Sequence, residues 1–222
     1  YTWNNVRPGT FLYHSGTHPA VQVQMGLYGA IKKDAATGQA YSSASTTYTK
    51  EGILVLSEVD PVLHAAVASG SYGPGLAVTS TMSYSPKYFL YNGVANLATS
   101  GIGASVVVGD RVLIRLLNAG LRTRMPLLLG LYMTLLAQDG NLLPYPLSQY
   151  SLNLEALKTM DVMISPTAAG SLAFHDRRGF VSLGSVQGGG TTIAPAPPGP
   201  VPGPGGQPGA DGGGGCFISS LL

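Results

Sequence analysis

Two histidines, His14 and His18, stand close together between apolar runs in residues 10–33, TFLYHSGTHPAVQVQMGLYGAIKK, and they are half of the chain's four. Imidazole is a good ligand for transition metals, copper among them, so a close pair reads as a candidate metal site. The plain alternative is that both make ordinary hydrogen bonds, and residue type alone favours that reading. Other candidates have structural readings beside the chemical one. Glu58 and Asp60 are near enough to be paired carboxylates, but a turn or helix cap explains them as well. His64 suits a core or partner-facing position. His175, followed by Asp176, Arg177 and Arg178, suits a hydrogen-bonded or ion-paired corner. Arg122 and Arg124, just after Gly120, are placed to hold a loop through backbone carbonyls. Met25 and Met125 read as core filling. No Ser/His/Asp set, P-loop or cysteine-rich zinc site is recognisable.

The elements that must position the histidine pair read as strands. Arg7-Pro8-Gly9 makes a turn, since Pro fixes φ and Gly accepts positive φ. TFLYHS follows as a β-branched and aromatic strand, after a first strand in YTWNN. Gly16 and Pro19 bracket His18. VQVQM alternates, Val21, Val23 and Met25 against Gln22 and Gln24, as a sheet with one buried face requires. Residues 34–51 are polar and aperiodic and read as a linker or long crossover. ILVLSEVD is a strand. A short helix follows, begun at Asp60 with Pro61 in its first turn and ended at Gly70. Residues 71–85 are irregular, and YFLYNG is a strand entering an Asn92-Gly93 turn. SVVVGDRVLIRLLNAG holds a turn at Gly109-Asp110 and an apolar strand. Residues 126–140 read as one further strand, YSLNL and DVMIS as two more, and AGSLAFHDRRGFVSLGS as a closing hairpin. Many short strands with Gly-rich turns imply a sandwich or barrel.

Composition agrees. The chain of 222 residues is 45% hydrophobic and 10% charged, with a formal net charge of +2. So small a charge gives no argument for nucleic acid or an anionic membrane as partner. Few Lys and Glu, with abundant Val, Ile, Leu, Tyr and Thr, lean towards an all-β fold. Cys216 is the sole cysteine, which excludes an internal disulfide. No apolar run reaches the roughly 18 to 20 residues of a membrane-spanning helix. The chain opens at Tyr1 without Met, so its start is expected to have been processed away or to lie outside this sequence. RPGTFLYHS at 7–15 resembles AAGSLAFHD at 168–176, a weak internal repeat that suggests two related domains, the first represented by its last strands. After residue 186 the chain is mostly Gly, Pro and Ala and is expected to be flexible or polyproline II-like.

The stretch GTFLYHSGTHPAVQVQMGLYGA resembles the end of the first cupredoxin domain of a multicopper oxidase, with its paired-histidine motif, a Gln a few residues on, and a GLYG strand. LSEVDP, YFLYNG, VGDRVLIRLLNAGLRTR, QDGNLLPYP and SPTAAGSLAFHDRRG resemble, in the same order, the second, copper-free cupredoxin domain of a bacterial exported oxidase. The resemblance implies an all-β, Greek-key β-sandwich of cupredoxin type. It implies closing strands of a first domain at 1–36, a linker at 37–49, a near-complete second domain at 50–186 and a disordered Gly/Pro-rich tail at 187–222. It implies copper as cofactor, with His14 and His18 as cluster ligands, although the family spacing is His-x-His and here three residues intervene. The family oxidises a substrate one electron at a time and reduces dioxygen to water. The remaining histidine motifs and the His-Cys-His segment are not in this chain, which therefore reads as an oxidase segment that is inactive alone. The implied partners are the missing cupredoxin domains or another chain completing the first, with self-association as a further option. A copper-free structural or assembly subunit of a surface layer, fibre or larger complex is the alternative. The ending GGGGCFISSLL resembles a short C-terminal pattern of exported bacterial proteins. It implies a periplasmic, outer-membrane-associated or extracellular location with surface attachment through Cys216; a Gly-rich tail with a stray thiol is the plain reading.

Overall fold

In the computed structural model, which describes residues 2, 4–94, 106–178, 181–182, 185–186 and 188–195, an antiparallel hairpin leads into a β-sandwich. The hairpin is β1 (Gly9–His14) and β2 (Tyr28–Lys33), paired from Gly9 with Lys33 to His14 with Tyr28. Between them α1 (Pro19–Gln22) turns the chain. The alternation VQVQM is therefore not a strand. Pro19, in the first turn, presets the helical φ, and Val21, Val23 and Gln24 are all buried by tertiary contact.

The sandwich starts with β3 (Lys50–Val59), α2 (Pro61–Ala68) and β4 (Tyr88–Tyr91). It continues through β5 (Val106–Val107), β6 (Val112–Asn118), β7 (Pro126–Leu128), β8 (Met133–Gln138), β9 (Asn141–Gln149) and β10 (Thr159–Ile164). The last described strands are β11 (Gly170–Asp176), β12 (Val181–Ser182), β13 (Ser185–Val186) and β14 (Gly188–Ala194). One sheet has the order β4-β3-β6-β10-β8-β9, with β3 parallel to β6; the other has the order β5-β14-β11-β7. Leu54, Ile114, Leu116, Leu135, Val162, Leu172 and Phe174 fill the space between them.

Helix α2 forms as its sequence prescribes: the Asp60 carboxylate accepts from the N–H groups of Val62 and Leu63, and Pro61 sits in the first turn. Residues 126–140 are two strands, not one. Gly130, at φ 82°, breaks the run, so β7 joins the four-stranded sheet and β8 the six-stranded one. The partner of β11 is β14 (Gly170 opposite Ile193), whereas β12 and β13 form a short ladder of their own. The sandwich thus runs past 186 to Ala194. A strand of Gly and Thr can pair because ladder bonds need only backbone groups. Residues 196–222, with Cys216, and Tyr1 and Trp3 of YTWNN lie outside the described residues.

Every residue of β6 is buried, because the six-stranded sheet is covered on both faces. Its outer face carries Leu113, Leu136, Ala137 and Met163, over which Ala40 and Tyr41 pack. Residues 34–49, expected as a linker, are therefore a strap held on the sandwich. Thr46, itself buried, donates to the Tyr41 carbonyl at 2.9 Å and accepts from the Tyr41 N–H at 3.0 Å. The glycines opening the two repeat copies share one backbone geometry, φ 150° at Gly9 and 149° at Gly170. A Cβ at Gly9 would meet the Gly140 Cα at 2.8 Å, so the root of the hairpin also requires glycine sterically.

Candidate functional site

His14 is the last residue of β1 and is exposed. Its Nδ1 lies 2.9 Å from the Ser15 carbonyl oxygen. A carbonyl only accepts, so this contact places the proton on Nδ1 and leaves Nε2 of the neutral ring with a free lone pair. His18 precedes the first helical residue of α1, and its carbonyl receives the N–H groups of Val21 and Gln22 at 3.0 and 2.9 Å. Gln22 organises the turn. Its Oε1 accepts from Ser15 Oγ and from the His18 N–H, each at 2.9 Å. His18 Nε2 lies 2.9 Å from the Tyr72 hydroxyl, and the two rings are 5.8 Å apart. The tip of the hairpin is thereby tied to the loop after α2. Ser15, Gln22, His18 and Tyr72 form one connected set; His14 sits beside it, bonded to its own loop.

Chemically, this tip offers two imidazoles with different free nitrogens: Nε2 on His14 and Nδ1 on His18. Among the described residues, no group of three or more His, Cys, Asp or Glu is placed to hold a metal ion. Two imidazoles do not complete a copper coordination shell, so no redox step is derived from them.

The root of the hairpin is far more densely bonded. Arg115 on β6 is fully buried and points to the outer face. Its guanidinium donates to Asp34, to Glu51 at 2.6 Å, to Thr10 Oγ1 at 2.9 Å and to Asp161 at 3.5 Å. Thr10 and Tyr41 donate in turn to the two Asp161 oxygens, at 2.6 and 2.5 Å, and Lys32 pairs with Glu51. Burial pushes the Asp161 carboxyl up, with Arg115 pulling it back. Burial and then the Asp34 hydrogen bond push Tyr48 up to about 12. The hairpin, the strap and two central strands meet at this one cation.

The remaining candidates separate. Glu58 and Asp60 do not act as a pair. Glu58 accepts from the N–H groups of Leu121 and Arg122 at 2.7 and 2.9 Å, while Asp60 caps α2 and receives the Ser85 N–H. Burial raises the Glu58 carboxyl, opposed first by those backbone bonds. Arg122 reaches the Tyr84 carbonyl and Arg124 the Ser57 carbonyl, each at 3.4 Å. Arg124 also pairs with Asp176 at 2.5 Å. His175 lies on β11 opposite Leu127 and Gly188. Met125 Nα–H bonds to Asp176 at 3.2 Å, and Met25 is half-buried at the end of the α1 turn.

No family model and no curated protein matches the chain. Solved structures do match. A blue copper oxidase from Nitrosomonas europaea aligns at TM-score 0.67 and 22% identity, over 88% of this chain and 58% of that one. The multicopper oxidase mgLAC aligns at TM-score 0.65 and 23% identity, over 87% and 59%. A copper nitrite reductase from Nitrosomonas europaea aligns at TM-score 0.57 and 20% identity, over 86% and 63%. The chain spans less than two thirds of each of these structures. At such identities the likeness shows the fold. The chain is built as cupredoxin-type β-sandwich, and the resemblance read in the sequence holds at that level.

Proposed function

We propose that this chain is the end of one cupredoxin-type domain and the whole of a second from a protein of the multicopper oxidase kind, with the second acting as a copper-free scaffold. The observation that supports this reading is the hairpin. It forms a two-stranded sheet of its own, and β1 packs against β6 and β10 of the sandwich. That is how the last strands of a neighbouring domain would sit. Copper, when bound, would supply one-electron oxidation coupled to reduction of dioxygen. His14 and His18 would be the ligands this chain contributes, with the remaining donors on missing domains or another chain. On this reading the chain alone is inactive. The Cys216 pattern supports an exported, periplasmic, outer-membrane-associated or extracellular protein.

The test is metal analysis of the purified chain, alone and in its native complex, beside His14→Ala and His18→Ala. Copper found only in the complex, and lost in both variants, is the expected result. Copper retained by the double variant would place the ligands elsewhere and overturn the assignment. A second reading, a structural or assembly subunit, draws on the same hairpin: its two outer strand edges and the half-exposed Tyr13 and Leu27 invite pairing with another chain. Absence of copper from the native complex, together with ordered self-association, would favour it.

A further inference from the structure

The two imidazoles at the hairpin tip are bonded in one pattern. On each, the protein engages one ring nitrogen and leaves the other free: His14 Nδ1 meets the Ser15 carbonyl and His18 Nε2 the Tyr72 hydroxyl, each at 2.9 Å. Histidines that hold a metal are bonded in this way, because a partner on the second nitrogen fixes both the ring and its tautomer. The two partners differ in origin. Ser15 is the next residue of the same loop, whereas Tyr72 belongs to the sandwich, 54 residues beyond His18.

His18 needs a partner from outside its own hairpin. Histidines two apart on a strand share a face. Here β1 ends at His14 and His18 precedes α1, so no ladder orients the His18 ring. Its backbone is held on both sides: the N–H donates to Gln22 Oε1, and the carbonyl accepts from the N–H groups of Val21 and Gln22. Those bonds place Cα and leave the side-chain torsions open. Tyr72 sets the ring, which lies 5.8 Å from the phenol, tilted by 35°, and remains exposed.

Tyr72 is itself well held. The chain leaves α2 at Gly70, φ 66°, and the Ser71 N–H donates to the Ala66 carbonyl at 2.7 Å. On either side of Tyr72, the Ser71 carbonyl accepts from the Val78 N–H at 3.1 Å and the Gly73 N–H donates to the Val78 carbonyl at 2.9 Å. The Asp60 cap fixes the start of α2, so β3 places the phenol through one short helix.

We propose that Tyr72 is the positioning residue for His18: its hydroxyl accepts the Nε2 proton, keeps the ring in one orientation and reserves Nδ1 for a metal ion. The inference rests on the reading of His14 and His18 as copper ligands. It gives the copper-free domain a part in the site, since that domain supplies no ligand but orients one.

The test uses Tyr72→Phe, which keeps the ring and removes the hydroxyl. In the full chain without metal, 15N spectra of the neutral imidazoles show which nitrogen carries the proton. Wild-type His18 should give a single form protonated at Nε2, and Tyr72→Phe a signal averaged over both forms. The same averaged signal in both proteins overturns the proposal. In the native complex, competition with a copper chelator measures metal affinity. Tyr72→Phe should weaken it by about 10–100-fold, the range for partners of metal-bound histidines, with the amide spectrum of β6 unchanged. Unchanged affinity overturns the proposal. So does a loss of copper accompanied by a changed β6 spectrum, which gives Tyr72 a structural role. A wild-type complex without copper overturns the ligand reading and this proposal with it; a single His18 form in the imidazole spectra then identifies the contact as purely structural.

Discussion

Two arginines, Arg115 and Arg124, are completely shielded from solvent, and their surroundings differ in kind. Arg115 faces Asp34, Glu51 and Asp161 together, joined by Thr10, and these groups come from the strap, the hairpin and two strands of the sheet. Arg124 pairs with the Asp176 carboxylate and lies over the rings of Phe89 and Tyr91, with centroids at 5.3 and 5.7 Å. Those residues belong to the sandwich alone. The first site is a joint between units; the second is a fastening inside one. A buried ion pair is weak evidence of stability but strong evidence of where segments must meet, because each charge is costly without its partner.

The sharpest way to break this contrast is Arg115→Met. It leaves the buried Asp161 and the half-buried Asp34 and Glu51 without their cation, and should cost about 3–5 kcal/mol. Urea unfolding measures the loss, and limited proteolysis locates it. Cleavage should appear first in the hairpin and strap. If the sandwich and hairpin become sensitive together, Arg115 is not a joint.

Asp176→Asn tests the other arginine. Asn keeps an oxygen for the N–H groups of Met125 and Arg178 but removes the charge facing Arg124. The expected cost is about 1.5–3 kcal/mol, the range for hydrogen bonds to charged groups. It should appear as a fall in urea midpoint with no early cleavage in the hairpin.

Much of this architecture can be read from residues 105–120, where a Gly-Asp turn precedes an apolar strand. Gly109 takes φ 91°, and the Asp110 carboxylate, held below the usual range by the Val107 N–H and then by Thr49, closes the turn. The Asn92-Gly93 turn and the Asp60 cap are legible for the same reason: each depends on neighbours in sequence. What local pattern does not reveal is the strap. Its polar composition looks like a linker, and only the tertiary position of Tyr41 against Asp161 makes it structure. A signal was available: VLIRLL and TMDVMI each place one charge amid an apolar run, and a buried charge requires a partner. At the histidine tip, the bonds Gln22 makes to Ser15 and His18 are not legible, because V-Q-V-Q fits a strand period as well as a turn. Tyr72 is 54 residues from His18 and has no local signature.

A smaller effect separates charge from hydrogen bonding at Glu58, which lies close to Gly120: a Cβ there would be 2.8 Å from its Cδ. Glu58→Ala removes the acceptor for two backbone N–H groups and should cost about 1–3 kcal/mol. Glu58→Gln keeps an acceptor and removes the titration. Burial raises the folded-state pKa above the ordinary 4.5, so the folded protein holds this proton more tightly than the unfolded chain. That contribution to stability is full below 4.5 and is lost as pH rises through the folded-state value. Stability of the wild type should therefore decline relative to Glu58→Gln across that window. Parallel curves for the two proteins would mean that Glu58 titrates normally.

The least disruptive change should be at His14, and its smallness is informative. The side chain is exposed and its bond is to the adjacent carbonyl, so His14→Ala should alter stability by no more than about 0.5 kcal/mol. His18→Ala breaks the contact with Tyr72 and should cost about 0.5–1.5 kcal/mol, with Tyr72→Phe reproducing the loss of the hydrogen bond. Thermal unfolding of the three variants decides the matter. A residue that contributes almost nothing to the fold, yet holds its Nε2 lone pair outward through a fixed tautomer, is free to serve a ligand. A large loss in His14→Ala would instead give that histidine a structural role and weaken the case for it as a metal ligand.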